Sequence, residues 1–363
     1  MQKRVLVMWA EEASPNFGVR VLARGLIDGL PRDWELRFAS HRSPLDSGAL
    51  SLKRLLLAAL IPWHPTRREL ASYDLILDVG EGDSFASIYG LKRFGKMIAS
   101  KMAAGLSRST LVLCPQTLGP WDAGIATWAA RLATRRAVQV WARDSQSSAR
   151  ARKAGIQGLQ QATDLVFAVN EPPSLQDDGK SETKYDLLLN VSGLLWNPNS
   201  HVDHLRYRSI IRNVISDASD RGLVTGLLVH VSAKGSADDD QAIASLLADE
   251  THALDVIAPD HLDELRSVVS RAGLLVGSRM HACLNAISLG VPAIALAYSD
   301  KFAPLFEDLG YDEGVIDLRI VESHFRFDLE GAIGSESLRS SAQSARDEGR
   351  RRVDRFLAKV GEA

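Results

Sequence analysis

Cysteine is nearly absent from this chain. Two in 363 residues, Cys114 and Cys283, lie far apart, each inside an apolar run. That excludes a disulfide framework and a thiolate zinc site, and reads as two buried thiols in a reducing compartment. Long apolar stretches are missing as well: the longest, Leu55 to Ile61, falls far short of the ~20 residues that cross a bilayer. No sign of charge dominates. Lys+Arg 43 against Asp+Glu 45 leaves a net charge of −2, so no global basic surplus exists to hold a nucleic-acid backbone. No short-period repeat is present, and the carboxylates form no recognisable metal-ligand cluster. The basic start Lys3-Arg4 meets Glu11-Glu12 too soon for a signal-peptide core. A cytoplasmic protein without nucleic-acid partner, integral membrane segment, metal or cofactor is therefore expected, its oligomeric state open.

What is present is an ordinary globular balance, 45% hydrophobic and 24% charged, over a length that suits two domains at roughly 100–200 residues each. Apolar runs of strand length recur, each followed by a polar turn and a segment of helical spacing, which predicts parallel sheets built from strand–helix units. The first half offers strands at Val5–Trp9, Leu36–Ala39, Leu75–Val79, Thr110–Cys114 and Val138–Trp141. The second half offers Tyr185–Val191, Val224–Val231, Asp255–Ala258, Leu274–Val276 and Ala293–Ala297. Residues 171–183, polar and broken by Pro172 and Pro173, read as a linker. The predicted fold is α/β, two doubly wound, Rossmann-like domains facing a cleft: 1–170, and 184–334 beyond the linker. Residues 335–363 form a helix with Val353, Phe356, Leu357 and Val360 on one stripe, able to pack back on the first domain. Ligands of open parallel sheets bind outside the carboxyl ends of the strands, which directs attention to the turns.

The most informative turn is Gly277-Ser278-Arg279-Met280-His281. A strand ends at Val276, Ser278 is placed as a helix N-cap, and Gly290 and Pro292 close the helix. Arg279 and His281 then fall in the first helical turn, where cations oppose the macrodipole. The conflict disappears if an anion occupies the site. The competing reading pairs Arg279 with a neighbouring carboxylate and makes His281 a hydrogen-bonded core imidazole; spacing alone does not choose between them. Lys301 after the Ala293–Ala297 strand and Lys234 after the Val224–Val231 strand end on the same edge, although a lone lysine in a turn is more often solvated.

In the first half, Gly80-Glu81-Gly82-Asp83 follows a strand. Its glycines permit a tight turn, and its carboxylates, acceptor-only when ionised, suit sugar hydroxyls rather than phosphate. It lacks the GxGxxG pattern of a dinucleotide site, and a plain acidic turn is the other reading. Asn16 and Gly18 lie after the first strand, where an ordinary surface turn is the plainer reading. Arg143-Asp144 reads as a capping ion pair. Seven tryptophans hint at sugar stacking, but Trp9, Trp121, Trp141 and Trp196 fit a core as well.

Together these turns resemble the polysaccharide pyruvyltransferase family. The matching stretches are Asn16-Phe17-Gly18, Asp74–Gly82, Pro115-Gln116-Thr117-Leu118-Gly119-Pro120, Trp141-Ala142-Arg143-Asp144, Asp164-Leu165-Val166-Phe167, Ser278-Arg279-Met280-His281, Gly290-Val291-Pro292 and Lys301. They run in order over most of the chain, and the Arg-Met-His helix start is the sharpest. One departure is Gly80-Glu81-Gly82-Asp83, where many members carry a Gly-rich stretch.

The resemblance implies a glycosyltransferase-B-type architecture. It also implies transfer of the pyruvyl unit of phosphoenolpyruvate to two hydroxyls of one sugar, giving a cyclic ketal. The partners implied are phosphoenolpyruvate and a sugar acceptor in a glycan or glycolipid precursor. Arg279 and His281 are implied at the donor site, with Ser278, Met280 and Lys301 around them, and the position of Lys234 after its strand adds it to that side; His281 suits a general acid and Arg279 a bidentate anion holder. Asn16, Glu81 and Asp83 are expected on the acceptor side. Two alternatives remain from other classes: a glycosyltransferase using a nucleotide sugar, and a catalytically degenerate binding subunit.

Overall fold

The computed structural model describes residues 2–121, 124–172, 183–251, 254–322 and 325–363. Most of the expected linker, residues 173–182, thus lies outside the described residues. Two compact units are present.

Unit 1 comprises Met1–Ala13, Val19–Val169 and Arg351–Ala363. Its six strands are β1 (Arg4–Met8), β2 (Glu35–Ala39), β3 (Leu75–Asp78), β4 (Thr110–Gln116), β5 (Gln139–Ala142) and β6 (Leu159–Gln161), in the order β2-β1-β3-β4-β5-β6. All pairings are parallel. β1 and β3 are buried at nearly every position, because helices cover both faces of such a sheet and leave no solvated side for a polar alternation. The helices are α1 (Phe17–Gly29), α2 (Leu52–Leu60), α3 (Pro65–Leu70), α4 (Leu91–Gly105), α5 (Gly124–Thr134) and α6 (Ser145–Lys153). α2 and α5 both pack against α4. Lys101 and Asp78, both wholly buried, pair at 2.9 Å in the middle of this unit, with the ammonium 4.4 Å from the Phe85 ring centroid.

Unit 2 comprises Ser14–Gly18 and Asn170–Arg350. Its strands are β7 (Tyr185–Asn190), β8 (Thr225–Leu228), β9 (Asp255–Ile257), β10 (Ala272–Gly277), β11 (Ala293–Ala297) and β12 (Val315–Asp317), in the order β12-β11-β10-β7-β8-β9 and again all parallel. The order reverses between β7 and β10, so this unit has its topological switch point at their carboxyl ends.

The units are not contiguous in sequence. After β1 the chain gives Ser14–Gly18 to unit 2 and resumes unit 1 at Val19. The closing helix, Glu336–Gly361, is divided as well. Its first half buries Leu338, Ala342 and Ala345 and belongs to unit 2, whereas its end places Phe356 5.3 Å from the Trp141 ring in an edge contact within unit 1. Of the expected stripe, Val353, Phe356 and Val360 are buried and Leu357 is half-buried. The expected boundaries at 170 and 335 therefore differ from the compact units by the Ser14–Gly18 excursion and by the division of that helix after Arg350.

Candidate active site

The carboxyl edge of β7 and β10 gathers the polar groups of unit 2. Asn190 ends β7 and Gly277 ends β10. The chain then passes through Ser278 and Arg279 into the helix Met280–Ser288. The N-cap falls on Arg279, one residue later than expected; its own side chain does not cap the helix, and the Asn190 amide oxygen accepts from the Arg279 N–H at 3.0 Å. Ser278 is wholly buried and its hydroxyl is 2.8 Å from that of Tyr207, which also accepts from the Ser192 N–H at 2.9 Å. That commitment, with the Asn190 carbonyl accepting from the Ser278 N–H, is why Ser278 does not turn back to cap.

Arg279 is ion-paired. Its Nε and Nη2 donate to Asp240, with Nη2 to Oδ1 at 2.6 Å, and Nη2 also meets Asp238 Oδ1 at 2.7 Å and the Asp238 carbonyl at 2.9 Å. Asp240 is 1% exposed and further accepts from the Gly193 N–H at 3.0 Å and the Val231 N–H at 3.1 Å. Gly193 allows this close approach: a Cβ there would lie 2.5 Å from the Asp239 carbonyl oxygen. Burial works against the Arg279 charge, but Asp240 first and Asp238 after it outweigh burial and hold the guanidinium firmly protonated. Burial also pushes the Asp240 carboxyl up, against the pull of Arg279. An anion meeting Arg279 would do so through Nη1, which donates to no group among the described residues, or by displacing Asp238, whose side chain is 44% exposed. Met280 and His281 are both half-buried at the helix start.

The Ser14–Gly18 excursion lies beside His281. Asn16 bridges to Val231, the Phe17 N–H donates to the His230 carbonyl at 3.2 Å, and the Phe17 and His230 rings lie 5.8 Å apart. The Asn16 amide oxygen accepts from the Gly18 N–H at 2.8 Å. A Cβ on Gly18 would come within 2.7 Å of His281 Nδ1. Asn16, expected with the first domain and the acceptor, is thus in unit 2 against the His281 helix. Because Gly18 keeps an ordinary helical φ, alanine suits its backbone and favours the helix by up to about 1 kcal/mol. Gly18→Ala is therefore expected to lower turnover by about tenfold or more through displacement of the imidazole, with a smaller change in the thermal midpoint, since helix propensity and the clash with His281 oppose each other. Parallel melting and rate measurements check this.

Lys234 is exposed on the loop that ends in Asp238–Asp240, and no hydrogen bond or ion pair joins it to Arg279 or His281 among the described residues. Lys301 is half-buried at the N-cap of Phe302–Asp308. Trp196 is 2% exposed, edge-on to Tyr207 and beneath Arg208 and Arg212, so it is core rather than a stacking platform.

In unit 1 the acidic turn is a tight charged cluster. Glu81 takes a left-handed backbone, φ 52°, and so does Trp9, φ 67°, at the end of the adjacent strand. Non-glycine residues held this way cost roughly 1–3 kcal/mol each and concentrate at functional sites. Glu81 is met by His41 at 2.9 Å, Arg93 at 2.7 Å and the Ser84 hydroxyl at 2.8 Å. Lys96 lies 3.2 Å from the other His41 ring nitrogen. Asp83 accepts from Tyr89 at 2.9 Å. Burial works to raise the Glu81 carboxyl, but the bond from His41 and the charge of Arg93 leave it below the ordinary range. A carboxylate so held is a weak base and a good acceptor. A depressed folded value stabilises above the ordinary pKa of about 4.3 and loses that contribution as pH falls through the lower folded value. Glu81→Gln should therefore flatten the loss of stability between about pH 5 and 3, as read from urea unfolding across that window; an unchanged slope would remove Glu81 from the acid response.

Arg143 and Asp144 do not pair with each other. Arg143 is buried against Asp164 at 3.2 Å and the Thr117 hydroxyl at 2.7 Å, while Asp144 caps α6 through the Ser147 N–H. Thr117 in turn donates its N–H to the Gly82 carbonyl. The motif residues of unit 1 thus form a buried support for the Gly80–Asp83 turn.

Two Rossmann-like domains of the glycosyltransferase-B type, one with an Arg-Met-His helix start at its switch point, define the class. The sequence model of the family described as polysaccharide pyruvyl transferase matches residues 16–300, and the chain belongs to that family. It is 23% identical over 267 residues to the amylovoran biosynthesis protein AmsJ of Erwinia amylovora, covering 69% of this chain and 63% of that protein. It thus spans less than two thirds of that relative. Among solved structures it is similar to MnaA of S. aureus, determined with UDP (TM-score 0.62, 11% identity, 100% and 98% of the two chains). It is also similar to the UDP-GlcNAc 2-epimerase of Methanocaldococcus jannaschii (TM-score 0.56, 11% identity, all of both chains). At such identities these share the fold alone.

Proposed function

We propose that this protein transfers the pyruvyl unit of phosphoenolpyruvate to two hydroxyls of a sugar during polysaccharide biosynthesis. The observation that carries the proposal is the His281 imidazole at a helix start whose N-cap side chain, Arg279, leaves the helix uncapped by itself and stands beside it as an ion-paired cation, in a chain of this family. In balanced form, C3 of the enol gains a proton as the first hydroxyl oxygen bonds to C2. The second hydroxyl then bonds to C2 as the C2–O bond to phosphate breaks, both hydroxyls lose their protons, and ketal and phosphate are released. His281 supplies the C3 proton, because an imidazole can donate near neutral pH. Arg279 and the helix start hold the donor's anionic groups. Glu81 and Asp83 accept from sugar hydroxyls; Glu81 binds rather than deprotonates, given its low proton affinity. Lys234 and Lys301 are proposed as further donor contacts, and the proposed location is the cytoplasm.

The deciding experiment is calorimetric titration with phosphoenolpyruvate, UDP and GDP in parallel. Saturable phosphoenolpyruvate binding, lost in Arg279→Ala and clearly weakened in Arg279→Lys, is expected, since lysine cannot keep the planar fork on Asp240 while meeting a ligand. Binding of UDP or GDP alone would move the reading to glycosyl transfer from a nucleotide sugar. Ligand binding without phosphate release over a broad acceptor panel would identify a binding subunit instead.

A further inference from the structure

Of the fourteen large apolar side chains exposed among the described residues, half lie on or beside one helical layer of unit 1, while others such as Leu205 and Ile320 are scattered over unit 2. On the α2–α4–α5 layer of unit 1, Leu56 and Leu60 lie one turn apart on α2 at 43% and 75% exposure, and Trp63, in the turn that follows the helix, is 73% exposed. Leu91 opens α4 at 83%, and Ile125 and Trp128 lie one turn apart on α5 at 81% and 64%. Because α2 and α5 both pack on α4, these side chains belong to one continuous helical layer.

The same layer is strongly basic. Helices α2 to α5 carry nine lysines and arginines and one acidic residue, Glu69, among the described residues; Lys101 is buried on Asp78 and Arg93 is held on Glu81, and Lys53, Arg68, Lys92 and Arg131 are exposed. Arg135 and Arg136 follow directly, both exposed. The whole chain has a net charge of −2, so the positive charge is concentrated here against the average. Arg135 and Arg136 also line a groove of about 440 Å³ between α4 and α5, with Leu106 and Leu132 among its apolar walls.

We propose that the α2–α4–α5 face of unit 1 docks on an anionic lipid bilayer surface. Solvent-facing leucine, isoleucine and tryptophan among lysines and arginines is the pattern of an element lying in the plane of a membrane interface, with apolar side chains at the acyl boundary and cations at the headgroups. The groove offers two guanidiniums for a headgroup phosphate above an apolar floor. A second copy of the chain is a poor occupant, because a two-fold contact would set this cationic layer against itself. Nucleic acid would use the cations but leave Leu56, Leu60 and Ile125 unused. The inference is independent of pyruvyl transfer: it concerns where unit 1 sits, not what the protein catalyses.

The test is co-sedimentation of the full chain with vesicles of phosphatidylcholine alone and of phosphatidylcholine containing about 30% phosphatidylglycerol. Binding to the anionic vesicles, at least about tenfold weaker to the neutral ones and falling with added salt, is expected. Leu60→Glu with Trp63→Glu should cut anionic binding at least about tenfold with an unchanged melt, since both side chains are exposed. Arg135→Glu with Arg136→Glu should remove most of the preference for anionic lipid. No binding, equal binding to both vesicles, or undiminished binding by the Leu60/Trp63 pair would overturn the proposal. So would binding to a duplex oligonucleotide or polyglutamate as tight as to anionic vesicles and indifferent to that pair, since recognition would then not use the apolar face.

Discussion

Replacing His281 by alanine is expected to lower turnover by about 10²–10⁴-fold, the range supplied by a positioned proton donor, while leaving phosphoenolpyruvate affinity and the thermal transition little changed. The helix that carries it is anchored by other groups: Cys283, Leu284 and Ile287 are buried, and the Asn285 side chain donates to the His281 carbonyl at 2.8 Å, a bond independent of the imidazole. Alanine also has the higher helix propensity. The fold should therefore survive, and rate and binding should separate. Single-turnover rates and calorimetry on the same preparation distinguish the outcomes. Full activity in His281→Ala would remove the imidazole from the proton transfer, and joint loss of binding and rate would make it a donor ligand instead.

Asp240→Ala is expected to cost about 3–5 kcal/mol of stability and to abolish donor binding. The loss would not be that of one ion pair. The carboxylate satisfies Arg279 through two nitrogens together with the N–H groups of Gly193 and Val231, and the substitution leaves all of these in a site only 1% exposed. Asp238 cannot take over the whole load, since its side chain is 44% exposed and meets Nη2 alone. Asp240→Asn keeps the shape and one acceptor but loses the charge, so it should fall between the two. Urea unfolding midpoints give the comparison; a cost below about 1 kcal/mol for Asp240→Ala would mean that the pair is as weak as a surface one.

The strands were largely legible because buried parallel strands are written as continuous apolar runs, and ten of them were readable. β6 and β12 were not. Each has three residues, stands at a sheet edge and is only half-buried, a size at which the pattern is marginal: β9, equally short and also at an edge, was readable only through its apolar Val256-Ile257-Ala258 run. Within the site, the Arg279–His281 turn was visible from the conflict between cations and a helix start. Asp240 was not: Asp238-Asp239-Asp240 opens the helix Asp240–Thr251, where acidic residues are expected for helical reasons alone, so nothing marked it as a partner of a residue 39 positions away. His41 and Arg93 were equally silent, since pairing with Glu81 depends on how β2 and α4 converge on one turn. Asn16 was seen but assigned to the first domain, because sequence order places it there and only tertiary docking takes it elsewhere.

That docking bears on how the protein can be dissected. No single cut in the polypeptide releases either half whole. A fragment from residue 184 onward would lack the Asn16–Gly18 segment that abuts His281, and a fragment ending at residue 170 would lack Phe356, leaving the Trp141 ring without its partner. Fragments made at the linker should therefore be poor reporters of what each domain binds. During synthesis the same threading delays closure of unit 1, which waits on Arg351–Ala363 at the end of the chain, whereas the Ser14–Gly18 segment of unit 2 is made long before the rest of that unit.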